Sequence, residues 1–391
     1  MKKRMLGLLL CGVMAFSMLA AGCSSNTTTE QTADPTTTEG EAETSTQGGL
    51  KIAIVSSPSG VDDGSFNQDN YEGILSFIES HPDATVTPVK EESGDTAAAV
   101  QAVADIVADY DVIVCCGFQF AGIGTIAQDN PNVDFILVDS NPTDAEGNEM
   151  EAENIYAMTF AEQESGFYAG VAAALETKTN KVAVVNGIAY PSNVNYQYGF
   201  ESGVNYANAN FGTTAAIVEM PSYAGTDVTG ANVGGNYVGT FADEATGKVV
   251  GNALIDAGCD ILFVAAGGSG NGVFTAAKEA TDVKVIGCDV DQYDDGVNGD
   301  SNIILTSVLK IMGKNVEKQL NAVVDGTFAG KNELLGADTD STGYVKEEGR
   351  NQLSAETITK LDEVYELVKN GTIVPASNFN GILPEDLGKA A

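Results

Sequence analysis

The chain has 391 residues, 55 acidic against 19 basic, and a formal net charge of −36. Such an acidic protein has no concentrated basic surface, which excludes nucleic acid as a partner. About 340 residues follow the N-terminal region, enough for two domains on the usual length scale.

The first predicted element is a leader. Basic residues within Met1–Arg4 precede an apolar run over 6–21, and the small residues Gly22-Cys23-Ser24-Ser25 follow it. A basic start, a short apolar core and a cysteine after small residues are typical of a secretory signal whose cysteine is lipidated. The apolar run is shorter than the roughly 18 to 20 residues of a spanning helix. We therefore predict a lipoprotein signal peptide over 1–22 and a lipid anchor on Cys23, on the extracytoplasmic face of the cell membrane.

Residues 23–49 form the second predicted segment, a tether. From Ser24 to Gly49 the chain is almost entirely Ser, Thr, Glu, Gln, Ala and Gly, without a large apolar residue. This composition buries too little surface to offset the entropy of ordering, so we expect disorder. A flexible coil of about 25 residues reaches roughly 25 to 30 Å.

From residue 50 the chain alternates short apolar runs with helical patterns. Strands are predicted at 50–55, 85–89, 112–116 and 135–138, with helices at 70–80, 95–109 and 121–128. This βαβ rhythm is typical of a parallel sheet covered on both faces.

The same rhythm restarts after residue 160 and predicts a second unit. Helices are predicted at 164–175, 196–208, 242–257, 272–280, 311–324 and 354–370, and strands at 182–185, 214–220, 261–265, 283–288 and from Ile303. Two doubly wound units imply two lobes. We expect lobe 1 to comprise 50–157 plus about 289–340, lobe 2 to comprise 158–288, and 341–391 to pack on the lobes.

In open parallel sheets, ligands bind beyond the carboxyl ends of the strands. Here the segments that follow the predicted strands are rich in Gly, Asp, Asn and aromatic residues, notably 56–67, 117–120, 186–190, 267–272 and 289–292. The same kind of chemistry at the strand ends of both lobes favours a ligand cleft between them.

Four cysteines remain beyond the leader and Cys23. Cys115 and Cys116 are adjacent in an apolar run, where a bridge between neighbours is strained. We interpret Cys115, Cys116, Cys259 and Cys288 as small core residues, since cysteine is among the most buried residue types. A bridge from Cys115 or Cys116 to Cys288 is the alternative.

Catalytic and metal motifs are scarce. Gly267-Gly-Ser-Gly-Asn-Gly272 lacks the third glycine of a dinucleotide fingerprint, because position 273 is Val. It reads as a glycine-rich turn that lets backbone amides approach a ligand. The single histidine, His81, lies in a predicted helix end and turn. Histidine or cysteine clusters with metal spacing are lacking, so we predict no enzyme, no metal and no cofactor.

Several motifs together resemble a known family. Val61-Asp-Asp-Gly-Ser-Phe-Asn-Gln68 is similar to the signature of the BMP (basic membrane protein) lipoproteins, the nucleoside-binding components of ABC transporters of the purine nucleoside receptor type. The resemblance continues in order through Gly117-Phe118, Glu162-Gln-Glu-Ser-Gly-Phe-Tyr-Ala-Gly170, Tyr198-Gly-Phe-Glu-Ser-Gly203, Gly239-Thr-Phe-Ala-Asp243, Ile286-Gly-Cys-Asp-Val-Asp-Gln292, Leu305-Thr-Ser-Val-Leu-Lys310 and Ile373-Val-Pro375.

The resemblance implies roles for eight residues. Phe66 and Phe241 match aromatics that sandwich the base, and Asn67 and Asp139 match residues at its edge. Asp289 and Lys310 match positions that hold the ribose hydroxyls, and Gly267 a backbone contact near the sugar. Ser57 stands where such binders usually carry Asp, which changes the chemistry offered to the base.

The resemblance implies a type I periplasmic-binding-protein fold, two doubly wound α/β lobes joined by a hinge that closes on a nucleoside and delivers it to an ABC permease. One alternative is a ligand-sensing lipoprotein that partners a membrane signalling protein. Another is an extracellular nucleoside hydrolase, for which the acids of Asp289-Val-Asp-Gln-Tyr-Asp-Asp295 are the candidate calcium ligands.

Overall fold

Residues 49–388 are described by the computed structural model. The predicted leader, Cys23 and nearly all of the predicted tether lie outside this range. Within it, no helix combines the length and apolarity needed to cross a membrane.

The first part of the described chain contains five strands and three α-helices, which alternate as far as β4. They are β1 (Lys51–Ser56), α1 (Phe66–Ser80), β2 (Thr85–Lys90), α2 (Thr96–Ile106), β3 (Val112–Cys116), α3 (Gly124–Asp129), β4 (Asp134–Val138) and β5 (Ile155–Phe160).

The second part repeats the alternation with an inserted hairpin. Its elements are α4 (Glu162–Glu176), β6 (Lys181–Asn186), α5 (Pro191–Asn210), β7 (Ala216–Ile217), β8 (Gly225–Thr226), β9 (Asn232–Gly234), α6 (Glu244–Asp256), β10 (Ile261–Ala265), α7 (Gly270–Glu279) and β11 (Lys284–Gly287). The rest of the chain adds β12 (Val297–Asn298), β13 (Ser301–Asn302), β14 (Ile304–Lys310), α8 (Met312–Val324), β15 (Lys331–Leu335), β16 (Thr342–Tyr344) and α9 (Ala355–Lys369).

Two six-stranded sheets organise these elements. The first has the order β15-β5-β4-β3-β1-β2 and is parallel throughout. The second has the order β16-β14-β11-β10-β6-β7 and is parallel except for β16, which runs antiparallel to β14. The two doubly wound α/β units confirm the predicted fold class.

Apolar strands explain why both sheets are covered on two faces. Strands β3 and β10 are buried along their whole length, so each needs helices on both sides. In the first sheet, α1 and α8 pack on one face and α2 on the other. In the second sheet, α4, α5 and α9 pack on one face and α6 and α7 on the other.

The chain crosses between the two sheets three times. The crossings lie between β5 and α4, between β14 and α8, and between β15 and β16. Backbone hydrogen bonds join the crossing segments, from Ala161 N to Leu335 O at 2.8 Å and from Ile311 N to Ser341 O at 2.9 Å. These adjacent segments form the connection about which the lobes can hinge.

The sheet pairing corrects part of the predicted domain division. We expected lobe 1 to resume at about residue 289, but β14 pairs with β11 and belongs to the second sheet. Only α8 and β15, residues 312–335, return to lobe 1, and α9 packs on lobe 2. The first crossing also lies at Ala161 rather than at residue 158. An apolar run does not specify which sheet it joins, because strand pairing is a non-local contact.

The four cysteines in the described range are free and buried. This agrees with the interpretation as core residues and not with a bridge to Cys288. Strand β7 is shorter than the predicted strand at 214–220. It lies at the edge of the sheet, where Asn236 Nδ2 donates to Val218 O at 3.0 Å and takes the place of further strand pairing.

Candidate ligand-binding site

A cavity lies between the carboxyl ends of the two sheets. In each sheet the first strand has its sequence successors on opposite sides, β2 and β3 beside β1, and β7 and β10 beside β6. Loops that leave such a strand pair diverge and open a crevice. The space enclosed is about 560 Å³, counting the part open to solvent.

All eight residues implied by the family resemblance line this one cavity. They are Ser57, Phe66, Asn67, Asp139, Phe241, Gly267, Asp289 and Lys310. Their contacts with a ligand stay a prediction. Phe118 and Tyr190, which the sequence left without a role, also line the cavity.

Two aspartates at the carboxyl ends of strands share an unusual backbone. Asp139 follows β4 in lobe 1 with φ of +66°, and Asp289 follows β11 in lobe 2 with φ of +69°. Residues other than glycine rarely adopt this left-handed conformation, and Asp tolerates it better than most. Such conformations concentrate at functional sites. The turn directs both carboxylates into the cavity from opposite lobes.

Lys310, at the end of β14, is a buried cation at the floor of the site. Its Nζ donates to Asp139 Oδ2 at 2.6 Å and to Glu162 Oε1 at 3.3 Å. It also lies 5.0 Å from the centroid of the Phe66 ring. Lys310 is only 2 % exposed, so the two carboxylates are needed to compensate its charge.

The cluster perturbs the acid–base properties of its members. Burial would lower the pKa of Lys310, but Asp139, Glu162 and Asp289 outweigh it and hold the pKa above its usual value. Burial raises the pKa of Asp139, against the effect of Lys310. Burial also raises the pKa of Glu162 to about 7, against Lys310 and with the help of Asp139. Lys310 is therefore charged at neutral pH, and the Glu162 carboxyl titrates near neutral pH.

We expect Glu162→Gln to flatten the pH dependence of stability between about pH 5 and 7. The unfolded pKa of Glu is about 4.3, so the folded state holds this proton more tightly. Its stabilising contribution is complete below that value and is lost as the pH rises through about 7. The free energy of unfolding should therefore fall over this range in the wild type, by on the order of 1 to 3 kcal/mol more than in the variant.

Urea unfolding at several pH values measures this difference. The control is Glu279→Gln, since Glu279 is exposed and pairs with Lys248 away from the cavity. Parallel pH curves for the wild type and Glu162→Gln would contradict the assignment.

Asp289 is held by side chains from both lobes. Ser65 of lobe 1 donates its hydroxyl to Asp289 Oδ2 at 2.8 Å, and Tyr196 of α5 donates to Oδ1 at 2.8 Å. Cys288 Sγ also donates to Oδ1, at 3.4 Å, so Oδ2 is the oxygen that keeps a lone pair with which the carboxylate can accept from a ligand. Two further bonds join the lobes, Ser59 Oγ to Phe241 O at 2.9 Å and Gln292 Nε2 to Gly64 O at 3.1 Å. The lobes are closed over the cavity.

Asn67, in the first turn of α1, has a fixed side-chain orientation. Its Nδ2 donates to Asp63 Oδ2 at 2.8 Å and to Ser57 Oγ at 3.0 Å. Asn67 Oδ1 and Asp139 Oδ1 are buried and accept no hydrogen bond from any described residue. Buried acceptors without a donor are costly. A ligand can donate to both of them.

Aromatic rings form the walls. Phe66 comes from the first turn of α1 in lobe 1, and Phe241 comes from the loop before α6 in lobe 2. Tyr190 links the lobes, with ring centroids 5.2 Å from Phe118 and 6.1 Å from Phe241. Flat apolar faces on both lobes suit a planar ligand.

Sequence reasoning missed four residues of the polar network, namely Ser65, Asp63, Glu162 and Tyr196. All except Tyr196 lie inside the quoted motifs, so a signal was present. The partners of Ser65, Glu162 and Tyr196 are distant in sequence, whereas Asp63 contacts Asn67 four residues along the chain. Lys310 and Glu162 are 148 residues apart, and Tyr196 and Asp289 are 93 apart.

The candidate calcium ligands of the hydrolase alternative have other partners. Arg350 Nε binds Asp291 Oδ2 at 2.6 Å, and Arg350 Nη1 binds Asp294 Oδ1 at 2.9 Å. Within residues 49–388, no group of three or more His, Cys, Asp or Glu side chains is arranged to hold a metal ion.

Comparison with known proteins identifies the family. The model of the family described as "Bmp: ABC transporter substrate-binding protein PnrA-like" matches residues 50–220 and 229–378. The chain is 31% identical over 351 residues to the "ABC transporter nucleoside-binding protein BmpA" of Lactococcus lactis, covering 84% of this chain and 87% of that one. It is 27% identical over 396 residues to the "CD4+ T-cell-stimulating antigen" of Listeria monocytogenes, covering 95% and 98%.

Structural comparison agrees on the fold. A crystal structure of an ABC transporter solute-binding protein from Aeropyrum pernix superposes with a TM-score of 0.70 at 21% identity, covering 85% of this chain and 94% of that one. The sequence match extends over both lobes and includes the segments that carry the cavity residues. The protein is therefore a member of the Bmp family of PnrA-like ABC transporter substrate-binding proteins.

Proposed function

We propose that this protein captures nucleosides, with a purine as the preferred base, and delivers them to the permease of an ABC importer. The observation that carries the proposal is a cavity between the lobes with aromatic faces on both lobes and two buried acceptors without donors, Asn67 Oδ1 and Asp139 Oδ1. Planar rings with N–H groups on their edges complement such a cavity. The relative from Lactococcus lactis bears the name of a nucleoside-binding protein, which supports this choice.

The base would lie between Phe66 and Phe241. Stacking of a base on an aromatic side chain contributes roughly 1 to 3 kcal/mol. The base edge would donate to Asn67 and Asp139, which satisfies the two buried acceptors. This contribution is specific for ligands with donors, because a ligand without them leaves both oxygens unpaired.

The sugar would lie against Asp289 and Lys310, with the backbone of Gly267 nearby. Asp289 Oδ2 keeps one lone pair after the bond from Ser65, whereas Oδ1 accepts from both Tyr196 and Cys288 Sγ. A ribose hydroxyl would donate to Oδ2. Lys310 has one N–H left after its bonds to Asp139 and Glu162 and would donate to a sugar oxygen.

Electrostatics favour nucleosides over nucleotides. Among the side chains that line the cavity in the described part of the chain, Lys310 is the only cation, whereas Asp63, Asp139 and Asp289 are acids. Glu162 adds a fourth acid directly behind Lys310. Phosphate groups would face uncompensated carboxylates at close range, which is strongly unfavourable in a buried site.

We also propose that the protein works outside the cytoplasm, anchored through lipid on Cys23. The leader 1–22 and the tether 23–49 support this placement. A sensing lipoprotein would use the same cavity, and capture of the permease or of a signalling protein by the anchored chain distinguishes the two.

Phe66→Ala is expected to weaken nucleoside binding by about 5- to 150-fold, because it removes one stacking surface. Isothermal titration calorimetry with guanosine and with inosine measures the loss. The control is Phe379→Ala, since Phe379 is 72 % exposed and does not line the cavity. Wild-type affinity of Phe66→Ala for nucleosides would show that Phe66 does not contact the ligand.

The proposal itself is tested by the ligand that the protein retains. Mass spectrometry of small molecules released from protein purified under native conditions should detect a nucleoside. A nucleotide, an amino acid or a free sugar in its place, together with no calorimetric response to nucleosides, would overturn the proposal.

A further inference from the structure

The orientation of the Asn67 carboxamide determines what the ligand must offer. A carboxamide can present either its oxygen, which accepts, or its NH₂ group, which donates. Here both N–H groups are engaged, one by Asp63 Oδ2 and the other by Ser57 Oγ. The oxygen is the polar atom of this side chain that is left without a partner in the described part of the chain. Asn67 therefore meets the cavity as an acceptor.

Asp63 is the residue that imposes this orientation. Its carboxylate accepts from the backbone N–H of Ser65 at 3.1 Å, Asn67 at 3.2 Å and Gln68 at 3.1 Å, in addition to Asn67 Nδ2. All four partners are donors, so only the ionised carboxylate satisfies them. A carboxylate cannot donate, so turning the Asn67 carboxamide would place its oxygen against Asp63 oxygen.

Ser57 complements Asn67 by offering a donor. Its Oγ accepts from Asn67 Nδ2, and within residues 49–388 its hydroxyl donates to no other group. Ser57 is 9 % exposed and lines the cavity. The hydroxyl hydrogen is therefore available to an acceptor on the ligand.

We infer that Asp63 is a positioning residue and that, given the nucleoside-binding function proposed above, the Asp63–Asn67–Ser57 network selects 6-oxopurine nucleosides over 6-aminopurine nucleosides. Guanosine and inosine carry the O6 acceptor beside the N1–H donor, which matches the Ser57 hydroxyl beside Asn67 Oδ1. Guanosine adds a 2-amino donor for the second unpaired acceptor, Asp139 Oδ1. Adenosine has an unprotonated N1, an acceptor, next to its amino group.

The wild-type protein should bind guanosine and inosine at least about 10-fold more tightly than adenosine. Adenosine in the same pose sets its N1 lone pair against Asn67 Oδ1 and its amino group against the Ser57 donor, which leaves buried polar groups unpaired. Calorimetry with the three nucleosides measures the ratio of dissociation constants. An equal or tighter affinity for adenosine would overturn the inference.

Asp63→Asn should abolish or reverse the preference for guanosine and inosine over adenosine, measured as the ratio of the dissociation constants. The new side chain keeps an oxygen for the N–H groups of Ser65 and Gln68, but its NH₂ group then faces Asn67 Nδ2. Two donors repel, and rotation of the Asn67 carboxamide relieves the clash by presenting its NH₂ group to the cavity. If Asp63 had a purely structural role, the substitution would weaken the binding of all three nucleosides alike and leave the ratio unchanged. That result would contradict the positioning role.

The matched control is Asp95→Asn. Asp95 caps α2 by accepting from Ala97 N at 2.9 Å and Ala98 N at 3.0 Å, and it does not line the cavity. Because Asn and Asp are comparable caps, the ratio should stay at its wild-type value.

Ser57→Ala provides a second variant should Asp63→Asn fail to fold. It removes the donor to O6 and should weaken the binding of guanosine and inosine by about 5- to 50-fold, while the binding of adenosine changes little. Equal losses for all three ligands would count against the assignment of Ser57. Measurable binding of all nucleosides without discrimination refutes this inference alone, whereas no binding of any nucleoside refutes the proposed function and this inference with it.

Discussion

Replacement of Lys310 by methionine is expected to lower the free energy of unfolding by about 3 to 5 kcal/mol, because it leaves buried carboxylates without their counterion. Methionine has a similar length and keeps the packing against the Phe66 ring, so the loss reflects charge. Asp139 and Glu162 lie 2.6 and 3.3 Å from the Lys310 ammonium and have no other cation within salt-bridge distance among the described residues. Urea unfolding of the ligand-free protein measures the loss.

Two comparisons separate charge from packing. In Lys310→Met combined with Asp139→Asn and Glu162→Gln, the two carboxylates that pair with Lys310 are neutral as well, so most of the lost stability should return. The control is Lys331→Met, because Lys331 is half exposed and pairs with Glu333 at 3.0 Å. Exposed ion pairs contribute about 0 to 1 kcal/mol. A similar loss in Lys331→Met, or no recovery in the triple variant, would contradict the buried-cation account.

Replacement of Gly170 by valine is expected to cost about 3 kcal/mol or more and to impair the site. Gly170 lies on α4, where it faces α5 directly: a β-carbon built there would overlap the carbonyl oxygen of Phe200. Gly203 on α5 faces the carbonyl of Phe167 in the same way. The two backbones must move apart to admit a side chain.

Gly170→Val should also weaken ligand binding, because α4 and α5 carry residues of the site. Glu162 begins α4 and binds Lys310, and Tyr196 on α5 donates to Asp289. Thermal unfolding and calorimetry with guanosine should both respond, with Gly170→Ala intermediate. The control is Gly343→Ala, where the β-carbon would lie 3.9 Å from Tyr365 in ordinary contact. Wild-type stability of Gly170→Val would show that α4 and α5 are packed less tightly against each other than the close approach of Gly170 to Phe200 implies.

The cluster around Lys310 also connects the ligand site to the hinge. Glu162 follows the first crossing, Lys310 precedes the second, and Asp139 belongs to lobe 1. A ligand that takes the remaining N–H of Lys310 would thus contact the segment about which the lobes move. Interactions made only when the lobes are closed favour the closed state of such a protein.

Much of the fold could be predicted because its signals are local. The strands at 112–116 and 261–265 appear at the predicted bounds, since a short, continuously apolar run between turn residues indicates a buried parallel strand. Helix α1 begins four residues earlier than predicted, because Asp63 accepts from N–H groups at its start and stabilises an extra turn.

The sequence alone predicts the alternation of strands and helices in two units, the family through its ordered motifs, and the set of eight residues that meet in one cavity. The alternation depends on local periodicity, whereas the eight residues follow from the resemblance of the motifs to those of the family. The packed structure was needed to show that β14 joins the second sheet, that Glu162 shares Lys310 with Asp139, and that Asp63 orients Asn67. Lys310 and Asp139 are 171 residues apart, and their pairing follows from chain crossings that no local pattern encodes. The short-range contact of Asp63 with Asn67 acquires its meaning only from the cavity that the packed lobes create.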